Sequence, residues 1–311
     1  MTGLVLSGSW NIFIVKPDEA DGTVECRIKG KVLRDAETFR NPIAPGDRVV
    51  FKTDGGGRGL VLALEERRNI FTRSCQSEGK RNRHDKSRPK SQILAANADL
   101  VLCVCTPASP PFRPRFIDRL LVQAEASGVD PMIVVNKSDI PADSTAEARL
   151  MDFSRIGYRV IRTSAKTGLG IDELRRLVNS KLSLLMGQSG VGKSSIINAL
   201  ASTNIKTKAV NEKYDRGNHT TTLASLTALP KGWIIDTPGV RVFTPDRVSA
   251  DQLTLFMREF APFTGQCYFG LSCSHTTETG CKVREAVENG GIYPDRYESF
   301  LRIREELRPV L

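Results

Sequence analysis

The chain has 311 residues, 40% of them hydrophobic and 26% charged, with 45 Lys and Arg against 35 Asp and Glu. That length implies two or three folded units, and that balance excludes a collagen-like, mucin-like or wholly disordered chain. The surplus of positive charge is uneven: residues 71–92 carry 7 basic and 2 acidic side chains, half of the net +10, which makes nucleic acid the leading expected partner. No apolar run approaches the 18 residues of a membrane-spanning helix, so no membrane contact is expected. The N-terminal MTGLVLSGSWNIFIV lacks the basic start of a signal peptide. Seven irregularly spaced cysteines do not make a secreted disulfide framework, so a reducing cytoplasm is the expected compartment.

Residues 1–68 read as short strands. Ile12–Val15, Val24–Leu33, Arg48–Lys52 and Leu60–Leu64 are β-rich and separated by Pro42, Pro45-Gly46-Asp47 and Asp54-Gly55-Gly56-Gly57. The pattern fits a small all-β barrel, an OB-fold or the similar-reading SH3-like barrel. Residues 69–92 are polar and basic and read as a linker. From 93 to 248 strands alternate with helices. Ala98–Cys105, Met132–Val135, Val160–Thr163, Leu182–Met186 and Trp233–Ile235 are apolar strand-like runs. Pro114 opens a helix with Phe116, Leu120, Leu121 and Ala124 on one face and Gly128 after it. Ile171–Val178 is a further helix, and another begins near Lys193. Such alternation predicts an α/β domain with a parallel sheet. Residues 249–311 read as helical with a cysteine-rich interruption, too short to bury much core of their own.

Gly187-Gln188-Ser189-Gly190-Val191-Gly192-Lys193-Ser194 follows a strand and precedes the helical run that starts at Ser195, the context of a phosphate-binding loop. Its backbone N–H groups would surround the β-phosphate, Lys193 would bridge β- and γ-phosphates, and Ser194 would ligate Mg²⁺. Asp236-Thr237-Pro238-Gly239 ends a strand about 45 residues later, where Asp236 can hold the metal through water and the Gly239 N–H can sense the γ-phosphate. Asn136-Lys137-Ser138-Asp139 ends another strand. Asp139 can accept both the N1–H and N2–H₂ of guanine, Lys137 can pack over the base, and Asn136 can tie this loop to the phosphate loop. Ser164-Ala165-Lys166 offers the Ala165 N–H to the guanine O6. Base motifs (G4, 136–139; G5, 164–166) therefore precede phosphate motifs (G1, 187–194; G2, the HTTT run 219–222; G3, 236–239), whereas ordinary GTPases begin with the phosphate loop, so in the order G4-G5-G1-G2-G3 the GTPase domain reads as circularly permuted. The chain leaving the switch region then runs directly into the C-terminal segment, so nucleotide state could move that segment.

Position 240, where a water-orienting glutamine would follow the DxxG motif, is Val240. Cys267, Cys273, His275 and Cys281 lie within 15 residues, a set suited to one closed structural Zn²⁺ site. GQSGVGKSS, NKSD, TSAKTGLG, HTTT, DTPGVR and this cluster together resemble the RsgA/YjeQ family, the circularly permuted GTPases of small ribosomal subunit assembly. The resemblance covers nearly the whole chain. It implies an OB-fold RNA-binding domain (1–68), a basic linker (69–92), a permuted GTPase domain (93–248) and a zinc-binding helical domain (249–311). It further implies that His219 replaces the missing glutamine in hydrolysis, with Thr221 completing the Mg²⁺ shell. Asn218 stands where the family often has arginine, and the gap between Cys267 and Cys273 holds one residue more than is usual there. The implied activity is hydrolysis of GTP to GDP, stimulated by the small (30S) ribosomal subunit and its rRNA, late in maturation and with possible contact to other assembly factors. The competing reading is an rRNA-binding module in which GTP is structural and turnover negligible. A monomer is expected, since no heptad pattern appears.

Overall fold

The computed structural model describes residues 1–9, 11–28, 39–75, 91–201, 224–237, 240 and 242–308. His219, Thr221, Gly239, Asn218 and residues 76–90 of the expected linker lie outside this set.

Strands β1 (Thr2–Ser9), β2 (Ile12–Pro17), β3 (Val24–Ile28), β4 (Arg48–Thr53) and β5 (Arg58–Leu64) form the N-terminal unit. β1 pairs antiparallel with both β2 and β4, β2 with β3 and β4 with β5, while β3 and β5 run parallel. The ring is therefore closed, in the five-stranded order of an OB-fold, and this removes the SH3-like alternative. Phe13 and Val15 alternate inward along β2 onto Val5, Cys26, Val49, Phe51 and Val61. β1 was hidden in the sequence by its glycines. A Cβ at Gly8 would lie 2.2 Å from the Phe13 ring, so the bare backbone is what lets β1 cross that ring.

The expected linker is in part ordered sheet. β6 (Ile70–Ser74) and β7 (Ser91–Ala96) form a two-stranded antiparallel ribbon on either side of residues 76–90. Phe71 and Ile93 bury its inner face.

The central unit contains β8 (Leu100–Cys105), α1 (Pro114–Ser127), β9 (Asp130–Val135), α2 (Ser144–Arg155), β10 (Arg159–Arg162), α3 (Ile171–Val178), β11 (Leu182–Gly187), α4 (Lys193–Ala201), β12 (Ser225–Leu229) and β13 (Gly232–Asp236). The sheet order is β10-β9-β8-β11-β13-β12, parallel except for β12. Successive side chains of β8 enter opposite cores. Val101, Cys103 and Cys105 pack under α1, whereas Leu100, Leu102 and Val104 pack under α3 and α4. α1 begins with Pro114 and ends at Gly128 in the left-handed region, whose N–H closes on the Glu125 carbonyl. Among the described residues the barrel pairs with this sheet at Ser7 and Ser225, between β1 and β12.

The C-terminal segment has 3₁₀ turns at Leu253–Phe256, Arg258–Phe263 and Gly270–Ser272, then α5 (Lys282–Glu288) and α6 (Pro294–Leu307). Contrary to the expectation from its length, it buries a core: Leu253, Met257, Phe260, Val283, Ile292, Phe300 and Ile303 enclose the three cysteines and pack against Val122 of α1. Borrowing one face from α1 makes this core possible. Among the described residues no helix is long and apolar enough to cross a membrane.

Candidate functional site

The phosphate loop leaves the C-terminal end of the central strand β11 and enters α4. The ends of β9, β10 and β13, which carry the other motifs, lie on the same edge of the sheet, where parallel α/β sheets bind ligands. The Lys193 ammonium is buried and donates to the Gly187 and Gln188 carbonyls at 2.9 and 3.2 Å. Ser189, Gly190, Ser194 and Ser195 are exposed around it, and Val191 is buried beneath.

Asn136 joins the base loop to the phosphate loop. Its Nδ2 donates to the Val191 carbonyl at 2.9 Å, and its Oδ1 accepts from the Ala165 N–H at 3.1 Å. A Cβ at Gly192 would stand 2.3 Å from that Nδ2, at a backbone φ of +93°, so the contact requires glycine. Lys137 also adopts a positive φ, +60°, and its Nζ donates to the Ser109 carbonyl at 2.9 Å. Ser138 is held at both ends: its N–H donates to the Thr163 carbonyl at 2.9 Å and its Oγ to the Val135 carbonyl at 2.8 Å. Asp139 and Lys166 are exposed. A hydrogen bond from the Ser164 side chain holds the Asp139 carboxyl below its ordinary pKa, so the group is an anion at neutral pH. This carboxylate faces solvent, so a base seated on it would supply its cover.

Asp236 ends β13, and its Oδ1 is buried with no hydrogen-bond partner among the described residues. Burial raises the Asp236 pKa, against the pull of Lys193, and burial likewise lowers that of Lys193, against the pull of Asp236. Desolvation thus outweighs the mutual attraction of the two groups. An orphaned carboxylate oxygen beside a desolvated ammonium fits a site completed by phosphate and a divalent cation. The Thr237 hydroxyl donates to the Leu185 carbonyl at 2.8 Å and fixes the start of the switch segment. Val240 is buried in the core under α1 and offers no polar atom to a water. Sequence reasoning missed the Ser109 carbonyl and the pairing of the Ser164 hydroxyl with Asp139, while Gln188, named there as part of the phosphate loop, has its Nε2 buried with no hydrogen-bond partner among the described residues. The first acts through its backbone and leaves no side-chain signal.

The ligand atoms of Cys267, Cys273, His275 and Cys281 lie within 4.8 Å of one another, and all four residues are buried. Cys267 Sγ is 4.0 Å from Cys281 Sγ, and His275 Nδ1 is 3.5 Å from each of these sulfurs. Ordinary Zn–S and Zn–N bonds in a tetrahedron separate ligands by about 3.8 and about 3.6 Å, so the cage fits zinc. The Lys282 N–H donates to Cys267 Sγ at 3.3 Å and the Tyr297 hydroxyl to the His275 carbonyl at 2.8 Å. These are the supports that an outer shell supplies to a thiolate–imidazole site. The three cysteines form no disulfide, and the four residues supply all four corners of a tetrahedron. The loop between Cys267 and Cys273 contains the 3₁₀ turn Gly270–Ser272.

A closed OB-fold barrel, a sheet whose base-reading loops precede its phosphate loop, and a Cys₃His cage define a circularly permuted P-loop GTPase with zinc-binding tail. The RsgA GTPase family matches residues 64–245. Proteins named small ribosomal subunit biogenesis GTPase RsgA are similar over nearly their whole length. That of Chlorobaculum parvum is 37% identical, over 99% of this chain and 98% of its own. One from Bacteroides thetaiotaomicron is 35% identical, over 98% and 97%. The crystal structure of YjeQ from Thermotoga maritima has a TM-score of 0.73 at 31% identity, covering 98% of each chain. YloQ, described as a circularly permuted GTPase, has the same fold, with a TM-score of 0.69 at 23% identity over 100% of this chain and 96% of its own. The chain belongs to the RsgA GTPase family.

Proposed function

We propose that this protein binds the small ribosomal subunit in the cytoplasm as a monomer and hydrolyses GTP to GDP and phosphate during late subunit maturation, with turnover stimulated by the subunit. The observation that carries the reading is Asn136, whose single amide holds the NKSD, SAK and phosphate loops at one sheet edge. The relatives' name supports the choice of target. In this reading Asp139 selects guanine, Lys137 covers the base, Ser138 braces the loop, and Ala165, flanked by Ser164 and Lys166, meets O6. Gly187 to Gly192 wrap the β-phosphate, Lys193 draws charge from the β- and γ-oxygens, and Ser195 closes the first turn of α4. Ser194, Asp236 and Thr221 would hold Mg²⁺, which supplies charge neutralisation between the β- and γ-phosphates. His219 takes the water-orienting task that Val240 lacks the chemistry for, and Gly239 senses the γ-phosphate. The zinc is structural. Barrel and basic segment grip rRNA, and release of an assembly factor is the step coupled to turnover.

GTP turnover titrated with purified small subunits at two salt concentrations tests this. Turnover should rise with subunit concentration, with weaker half-saturation at the higher salt. No turnover under either condition, alone or with subunits, would leave GTP as a structural ligand.

A further inference from the structure

The loop between Cys267 and Cys273 presents Tyr268, Phe269 and Leu271 to solvent, at 82%, 51% and 83% exposure. Three large apolar side chains within four residues are an unusual thing to leave in water. The loop is not loose. Cys267 and Cys273 anchor it in the buried cage. The Tyr268 N–H donates to the Gly280 carbonyl at 3.1 Å, the Gly270 N–H to Cys267 at 2.8 Å and the Ser272 N–H to Phe269 at 3.1 Å. The two rings stand edge to face, with centroids 5.1 Å apart. Such a rigid aromatic projection loses little entropy on docking, which is what an interface anchor requires.

The surrounding charge decides between partners. Residues 249–311 carry 7 basic and 9 acidic side chains, whereas residues 1–248 carry 38 and 26. The cations nearest in sequence are engaged: Arg258 pairs with Glu125 at 2.6 Å, Lys282 Nζ pairs with Glu285 at 2.6 Å, and Arg284 donates to the Glu278 carbonyl at 3.4 Å. Glu285 and Glu288 are exposed on α5. Base-stacking surfaces set their rings in a groove of free cations, whereas the cations nearest this loop in sequence are paired and its segment carries an excess of carboxylates. We infer that the knuckle formed by Tyr268, Phe269 and Leu271 docks into an apolar pocket on a basic protein of the small ribosomal subunit, while the basic remainder of the chain meets RNA. The inference rests on the proposed function and adds a second, protein-directed contact to it.

The test compares the parent with Tyr268→Ser/Leu271→Ser in binding to intact purified small subunits and to the same rRNA freed of protein. The double variant should lose about tenfold or more in affinity for subunits, the effect of removing interface anchors. Its binding to protein-free rRNA and its slope of affinity against salt should match the parent, because no phosphate contact is removed. One bound zinc and unchanged GTP turnover without subunits would show that the tail is intact. Leu271→Ser alone repeats the comparison should the double variant lose its zinc. An equal loss on protein-free rRNA would make the knuckle a base-stacking surface and overturn the inference. So would undiminished binding to subunits, or a parent that dimerises where the variant stays monomeric. A parent that binds no subunits would overturn the proposed function as well, whereas binding by parent and variant alike would overturn this inference alone.

Discussion

Asn136 accepts from the Ala165 N–H and donates to the Val191 carbonyl, so one buried side chain sets three loops that are up to 55 residues apart. Gly192→Ala would place a methyl carbon on this amide and put a side chain at positive φ. Losing a buried hydrogen bond costs about 1–3 kcal/mol, and the strained backbone adds to it. GTP affinity should therefore fall by tenfold or more by equilibrium titration while the far-ultraviolet circular dichroism is kept. Affinity within twofold of the parent would contradict the role given to Asn136. Glu278 offers a pH test. Burial pushes its pKa up, but hydrogen bonds from Ser274 and Thr276 win and take it from 4.5 down to about 2. A depressed carboxylate stabilises the fold fully above pH 4.5 and loses that contribution as pH falls toward 2. Urea unfolding of the parent and Glu278→Gln should differ by a constant amount above pH 5, and the gap should narrow below 4.5. The motif residues were legible because phosphate and guanine chemistry demands those side-chain types in those runs. The Ser109 carbonyl was not, because any residue can supply it.

Helix α2 shows where the sequence pattern misleads. Its buried face is Ala146, Arg149, Leu150, Asp152 and Phe153, so two charged residues interrupt the apolar stripe and no helix was predicted there. Those charges belong to an ionic cluster between the central unit and the tail. Arg149 donates to both oxygens of Asp118 on α1, at 3.0 and 2.8 Å. Arg296 on α6 donates to Asp118 at 2.5 Å and to Glu259 at 2.6 Å, and the Ser299 hydroxyl donates to Asp118. Asp118, Arg149, Arg296 and Ser299 are at most 1% exposed. Breaking such a buried pair from one side costs about 3–5 kcal/mol, because the partner's charge stays buried. Arg296→Met should lower the chemical stability of the tail by that order, read by hydrogen exchange of α6 amides. Unchanged protection would mean the cluster holds nothing. Chelating the zinc should loosen the knuckle, while α6 stays protected by its own core and by Asp118. Strands β8, β9 and β11 were legible as short apolar runs, since a parallel sheet buries both faces of a strand. β1 and β12 were not, because small and polar residues dilute the pattern.

The arrangement of units changes how nucleotide state is expected to spread. The order of motifs gave the expectation that nucleotide state could move the C-terminal segment, which follows the switch region directly along the chain. The tail is instead fixed to α1, and the segment leaving the switch first crosses the β6–β7 ribbon. Phe243 packs on Phe71 with centroids 5.9 Å apart, the Thr244 carbonyl accepts from the Ser74 N–H at 3.4 Å, and the Asp246 carboxylate accepts from the Ser91 hydroxyl at 2.7 Å. Arg247 then stacks on Phe39 at 4.6 Å. Permutation was readable from motif order alone, because the sheet edge needs each motif in place but not in sequence. The ribbon was not readable, because the basic residues between its strands made the whole stretch look like a tether. All of this depends on Asp139 and Lys193 serving one guanine nucleotide. The most direct measurement is turnover of GTP and of xanthosine triphosphate by the parent and by Asp139→Asn. Xanthine presents a carbonyl where guanine has its amino group, so an amide that donates replaces a carboxylate that accepts. The parent should prefer GTP, and the variant should shift its preference to xanthosine triphosphate; a variant that keeps the parent's preference for GTP would contradict the account.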